Sequence, residues 1–232
     1  MADNSSVSAI ILAGGSGIRL ASELPKQFLD LGGKPILARS IAVFDKLSFI
    51  GEIVVVVSEA WLDYSKANII ESYEWNKPVT LVKGGKERSE SSYFGVLAAS
   101  CPYVMIHDGA RPFVSADDIE KLYKLMLKED NAILACPVTD TIKKAGLDLK
   151  ISHTFDRANL FAAMTPQAFL KKDILNAHIH AKSHDFIGTD DAGTLEFFGL
   201  RATIVEGSPA NIKITTEKDL LLAEFLLGRL CP

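Results

Sequence analysis

The chain reads as an α/β fold, a mostly parallel central sheet flanked by helices with a β-hairpin arm projecting from it. Three observations predict this. Short, nearly unbroken apolar runs recur at Val7–Ala13, Glu52–Val57, Val104–Ile106 and Ala132–Val138, as strands covered on both faces require. Stretches with apolar residues at helical spacing lie between most of them. One segment, Thr139–Arg157, breaks the pattern by alternating about Gly146. With 232 residues and 48% hydrophobic content, the chain has enough apolar material for one domain over 1–232 and is not composed like a disordered segment.

The first strand, Val7–Ala13, runs into Gly14-Gly15-Ser16-Gly17-Ile18-Arg19, and Pro25-Lys26 follow. Gly14, Gly15 and Gly17 let backbone amides turn toward an anion with no Cβ in the way. Arg19 and Lys26 add two charges just outside that nest. The set suits a triphosphate, with Ala13 and the glycines around it and the cations facing charge that develops in a transition state. The dinucleotide fingerprint fails because Leu20 stands where its third glycine belongs, and the P-loop ending is absent.

Past the Phe28–Leu31 segment, the spacing predicts a helix over about Ile36–Leu47, a strand at Glu52–Val57 and a helix over about Ala60–Tyr73. A third strand, Val79–Val82, enters a second glycine turn at Gly84-Gly85-Lys86, with Ser91 at the start of the next helix. Its backbone and the Ser91 hydroxyl could read a pyrimidine edge and ribose. Both glycine turns then fall outside the carboxyl ends of parallel strands, where doubly wound sheets bind ligands. The fourth strand ends in His107-Asp108-Gly109-Ala110-Arg111, which leaves Asp108 and Arg111 at its exit. Ser115 and Asp118 form a capping box for a helix to about Leu127, and Ala132–Val138 is a fifth strand.

The hairpin over about 139–157 is marginal alone and is expected to pack on a second subunit. Thr165-Pro166-Gln167 returns the chain to the body, ahead of a helix over about Lys172–Ala181. His178, His180 and His184 lack metal-site spacing and read as solvated. Thr189 is expected to cap a helix through Phe198, with Asp190 and Asp191 as first-turn helix stabilisers. A strand at Ala202–Val205, the segment Asn211-Ile212-Lys213 and a helix over about Thr216–Leu227 complete the chain.

Composition narrows the function further. The net charge of −4 argues against a nucleic-acid or membrane-surface partner. No apolar stretch approaches the roughly 18 residues of a membrane span. The start, with an acid and no basic region, does not read as a secretory signal. Cys101, Cys136 and Cys231 lack C-x-x-C spacing, which favours reduced thiols in the cytoplasm. Cys101 and Cys136 sit among apolar residues and read as core.

The loop with its Pro-Lys resembles the signature of nucleotidyltransferases of the nucleotide-diphospho-sugar transferase, Rossmann-like type. Further blocks narrow the resemblance: Pro25-Lys26-Gln27-Phe28, Gly84-Gly85-x-x-Arg88-x-x-Ser91, His107–Pro112, Asp140-Thr141, Asp156-Arg157, Thr165-Pro166-Gln167, Thr189-Asp190-Asp191 and Asn211-Ile212-Lys213. Over about Val7–Leu227 the chain is similar to the 2-C-methyl-D-erythritol 4-phosphate cytidylyltransferases of the non-mevalonate isoprenoid pathway. Ribitol-5-phosphate cytidylyltransferases share several blocks and leave the acceptor open, and a noncatalytic CTP-binding module is a more remote alternative. Ser92 stands where an aliphatic residue is usual. The resemblance implies CMP transfer from CTP to a polyol phosphate, with pyrophosphate as the second product. It implies Arg19, Lys26, Arg157 and Lys213 as the catalytic cations. Asp108, Arg111, Thr141, Thr165 and Thr189 are implied to bind the acceptor together with Arg157 and Lys213. It also implies Mg²⁺ held mainly by the CTP phosphates, with no dedicated metal ligands, and a homodimer through the arm.

Overall fold

The structure is a computed structural model that describes residues 5–15 and 24–230. Nine strands are present among these residues: β1 Val7–Leu12, β2 Ile50–Val57, β3 Val79–Lys83, β4 Tyr103–Asp108, β5 Asn131–Pro137, β6 Lys143–Ala145, β7 Ile151–Thr154, β8 Phe161–Leu170 and β9 Thr203–Glu206. Seven of them form one sheet in the order β3-β2-β1-β4-β8-β5-β9. All its neighbours are parallel except β8, which runs antiparallel to both β4 and β5.

The apolar runs become central strands because both faces are covered. In β1, Ala9 and Ile11 face one core layer and Ile10 and Leu12 the other, as the two-residue period requires. The first layer is closed by α1 (Ile36–Asp45) and α4 (Ala116–Glu129) through Leu37, Ile41, Phe44, Ile119 and Leu122. The second is closed by α3 (Arg88–Ala98), α5 (Lys171–Ser183) and α6 (Asp191–Phe197) through Val96, Ile174, Ala177 and Leu195. A third cluster joins Leu31 and Ile36 to Ile214 and to Ala223 of α7 (Glu217–Leu230).

Several expectations need correction. The helix expected over Ala60–Tyr73 is a 3-10 turn at Glu59–Trp61, a short α2 at Leu62–Ser65 and a π turn at Lys66–Ile70. Trp61 and Tyr64 instead pack on Phe28, with ring centres at 5.4 and 4.9 Å. Thr165-Pro166-Gln167 is not a connection; it lies within β8 in the middle of the sheet. Pro166 hid that strand, because proline ordinarily argues against a central position. The ladder accommodates it by an irregularity: Ile133 pairs with Gln167, but Ala135 pairs with Ala163.

The hairpin predicted over 139–157 forms a separate two-stranded sheet of β6 and β7. Its apolar side chains Leu147, Leu149 and Ile151 are exposed.

Candidate active site

The carboxyl ends of β1, β3 and β4 open onto a cleft of about 370 Å³. Ala13, Gly14 and Gly15 line it from the first strand, Lys26 from the following 3-10 turn (Lys26–Phe28), and Gly85, Lys86 and Ser91 from the second glycine turn. Asp108 and Lys213 close it. A second cleft of about 270 Å³ shares Arg88, Asp108 and Lys213 and adds Arg111, Thr165, Thr189 and Asp190. Segments distant in sequence therefore meet at Asp108.

Gly84 packs behind this lining. Its amide donates to the Val57 carbonyl at 2.7 Å, and a Cβ there would stand 2.9 Å from Ser91 Oγ, so glycine is needed for the approach. Ser91 is less free than its sequence position suggests. Its hydroxyl accepts from the Gly85 amide at 3.1 Å and donates to the Glu87 carbonyl at 3.1 Å. It braces the turn as it lines the cleft.

Asp108 is the hub. Its carboxylate receives Lys213 Nζ at 2.8 Å, Arg88 Nε at 3.3 Å and Arg111 Nε at 3.6 Å. Burial alone would raise its pKa, but the charges of Arg88, Lys213 and Arg111 and the Lys213 hydrogen bond outweigh it and hold the carboxyl far below its ordinary value. Arg88 reaches on to Asp191 Oδ2 at 2.8 Å. Burial opposes its charge, yet Asp191 and Asp108 together push its pKa up. Arg111 also donates to the Asn211 carbonyl at 2.7 Å, and burial lowers its pKa.

Asp191 stands in the first turn of α6 as expected, but it is also 1% exposed, pairs with Arg88, and accepts from Ser92 Oγ at 2.5 Å. The hydroxyl of Ser92 thus satisfies a buried carboxylate oxygen that an aliphatic side chain would leave bare. The cap of α6 is Asp190, whose carboxylate accepts from the Gly193 amide at 2.8 Å, and Thr189 lies exposed in the second cleft instead. His178 is not solvated either. The face of α5 formed by Ile174, Ala177, His178 and Ala181 turns inward, and burial lowers the His178 pKa.

Thr165 is buried, and its hydroxyl is committed. The Asp108 amide donates to Oγ1 at 3.0 Å, and Oγ1 meets His107 Nδ1 at 3.1 Å. Nε2 of His107 lies 3.0 Å from the Arg111 carbonyl, which can only accept, so Nε2 carries the proton and Thr165 donates to Nδ1. Thr165 can therefore only accept, through its remaining lone pair, from a hydroxyl of a bound ligand.

Lys26, Lys213, Asp108, Arg111, Thr165 and Thr189 are thus brought to the joined clefts together with the glycine turns. Thr141 and Arg157 are not: both are exposed on the hairpin side of the molecule, where the Arg157 guanidinium donates to the Thr139 carbonyl. Gly17 and Arg19 lie outside the described residues. Sequence reasoning assigned no role to Arg88, although it lines both clefts; its place one turn before Ser91, behind a glycine turn, was the available signal. Among the described residues no three His, Cys, Asp or Glu side chains converge as a metal site. No helix among them is long and apolar enough to cross a membrane.

The chain is similar over nearly its whole length to proteins of one family. The family profile described as 2-C-methyl-D-erythritol 4-phosphate cytidylyltransferase, IspD, matches residues 7–229. A protein of that name from Caldanaerobacter subterraneus subsp. tengcongensis is 44% identical over 225 residues, 96% of this chain and 99% of that one. Among solved structures, the 4-diphosphocytidyl-2C-methyl-D-erythritol synthase of Anaerococcus prevotii superposes with a TM-score of 0.86 at 32% identity, covering 98% of this chain and all of the other. The 2-C-methyl-D-erythritol 4-phosphate cytidylyltransferase of Thermus thermophilus gives 0.80 at 28% identity over 96% of this chain and 99% of its own. With a profile spanning nearly its whole length and relatives this similar, the chain belongs to the 2-C-methyl-D-erythritol 4-phosphate cytidylyltransferase family.

Proposed function

We propose that this protein transfers CMP from CTP to 2-C-methyl-D-erythritol 4-phosphate, giving 4-diphosphocytidyl-2-C-methyl-D-erythritol and pyrophosphate in isoprenoid precursor synthesis. The observation that carries it is the junction at Asp108. One cleft begins at the glycine-rich loop and Lys26, the other holds Arg111, Thr165 and Thr189, and Arg88 and Lys213 stand between them.

The triphosphate occupies the first cleft, against Gly14, Gly15 and Lys26, with the base toward Gly84, Gly85, Lys86 and Ser91. The acceptor occupies the second. An oxygen of its phosphate attacks the α-phosphorus, a new P–O bond forms, and the bond to the β-phosphate bridging oxygen breaks in line. The nucleophile is already an anion, so no general base is needed. The barrier lies in bringing two anions together, and preorganised cations lower such barriers by several kcal/mol. Lys26 and Arg19 take up charge at the α-phosphate, and Lys213 approaches from the acceptor side.

Mg²⁺ travels with CTP in this reading and adds positive charge at its phosphates. The donor set fits that arrangement, since the oxygens of Asp108 are already taken by Arg88, Arg111 and Lys213. The arm completes a homodimer, supported by the exposed Leu147, Leu149 and Ile151, and delivers Arg157 and Thr141 to the neighbouring subunit's acceptor. A cytoplasmic setting belongs to the same proposal, supported by free Cys101 and Cys136.

Pyrophosphate release should be measured with CTP plus methylerythritol phosphate and, in parallel, CTP plus ribitol 5-phosphate. Turnover only with the first is expected; turnover only with the second reassigns the acceptor, and none with either overturns transfer. For the arm, Arg157→Ala and Lys26→Ala subunits should each be nearly inactive, and mixing them should restore about a quarter of wild-type activity, as random pairing leaves one intact site in half the dimers. No recovery after verified subunit exchange overturns the shared site.

A further inference from the structure

Gln27 has a function that the motif around it does not reveal. It sits in the middle of the Lys26–Phe28 turn and is 3% exposed. Its Nε2 donates to the Ala13 carbonyl at 2.7 Å and to the Gly15 carbonyl at 3.2 Å. Both hydrogens of the amide are thereby spent on the glycine-rich loop. Resting on the CTP reading of the cleft, we infer that Gln27 is the positioning residue that holds this loop in its anion-binding form and couples it to Lys26.

The need for such an anchor is physical. Gly14 and Gly15 have no side chains to fasten them, and glycine backbone is the most freely rotating of all. A trans peptide carries its C=O and N–H on opposite sides, so tying down the Ala13 carbonyl sets the direction of the Gly14 amide. The anchor is itself rigid. Phe28, the next residue, is buried against Trp61 and Tyr64. Lys26 precedes Gln27 in the same turn, so the loop amides and the Lys26 charge are located by one short element. Donors fixed in advance need no reorganisation when charge arrives.

The test uses the full-length protein with Gln27→Met, similar in length but without donors, and Gln27→Glu. CTP affinity is measured calorimetrically, and KM for each substrate in steady state. Gln27→Met is expected to weaken CTP binding and raise the CTP KM by about tenfold or more, with the acceptor KM changed less than about twofold. In Gln27→Glu an ionised carboxylate faces two carbonyls and the triphosphate, so CTP binding is weaker still near pH 8. It should recover toward about pH 6 relative to wild type, as the buried carboxyl takes a proton and donates it to the Ala13 carbonyl. Gln27→Met can show no such relative recovery, and a general packing defect would not produce it. A folded Gln27→Met protein binding CTP within about twofold of wild type overturns the inference, as does an equal rise in both KM values. Wild-type protein that binds no CTP overturns the reading of the cleft and this inference with it. Wild-type binding beside an unaffected variant overturns this inference alone.

Discussion

Asp108→Ala is expected to lower kcat/KM by at least about 100-fold and to cost about 3 kcal/mol of stability, because it strips the counter-charge from a cluster of three cations. Lys213, Arg88 and Arg111 converge on this carboxylate at 2.8–3.6 Å, and Asp108 is 7% exposed. Breaking a buried pair by removing one partner is far more costly than the pair's net contribution, since the partner charges stay behind unpaired. Arg88 retains Asp191, whereas Lys213 has no other ion partner among the described residues and should swing away toward solvent. The acceptor cation and the two-cleft junction are then lost together. Asp108→Asn keeps the shape and one acceptor oxygen, so it should fall between wild type and Asp108→Ala in both quantities. Denaturant unfolding and steady-state kinetics measure the two effects separately. A well-folded Asp108→Ala protein with more than about a tenth of wild-type kcat/KM would remove Asp108 from its central position.

Stability should also fall by roughly 3 kcal/mol as pH drops from about 6.5 to about 4, through His107. This side chain is wholly buried beneath the site. Burial lowers its pKa to about 4, partly opposed by the Arg111 carbonyl and the Asp108 charge. In this window the unfolded chain binds a proton that the native state refuses, so the unfolded state is favoured as pH falls. His178, also buried and also lowered, acts in the same direction. Depressed carboxylates behave differently. Asp108, and Asp219 with its pKa of about 2, lose their contribution only below the ordinary aspartate range, near pH 4. The interval between about pH 6.5 and 4.5 therefore belongs to the histidines. Denaturation midpoints for wild type and His107→Gln should diverge above pH 6 and converge toward pH 4.5; a flat wild-type profile would refute the assignment.

The chemistry-bearing residues were legible where local pattern is enough. The apolar run before Gly14, the Ser115 half of the expected capping box and the alternation on either side of Gly146 each follow from a few adjacent residues, whereas the Asp118 carboxylate is taken by Lys121 and the Ser208 amide. The α4 cap indeed has Ser115 Oγ accepting from the Asp118 amide at 3.1 Å. Errors arose where a residue's partner lies far along the chain. Asp191 is the first-turn acid the sequence suggests, but its ion pair with Arg88, about a hundred residues earlier, leaves no local trace. Pro166 resembles a strand breaker until the irregular ladder with β5 absorbs it. His178 looks like a surface residue until α5 packs against α3.

The polar residues of the motifs also serve one another more than sequence alone suggests. Gln167 Oε1 accepts from the Asp191 and Ala192 amides, and its Nε2 donates to Asp190 at 2.7 Å. Asn211 Nδ2 donates to the Thr165 carbonyl at 2.8 Å. Several of these motif residues are thus scaffold around a smaller set of cations.

By itself the sequence determined the α/β class, the order of nearly every element and the glycine turns, because periodicity and glycine chemistry act over a few residues. Only the tertiary structure decided which side chains meet. It made Asp108 the shared counter-charge of Lys213, Arg88 and Arg111, buried Asp191 beneath them, inserted β8 against its neighbours, and spent Gln27 on the loop. Those outcomes depend on desolvation and distance between remote segments, and neither quantity exists until the chain has folded.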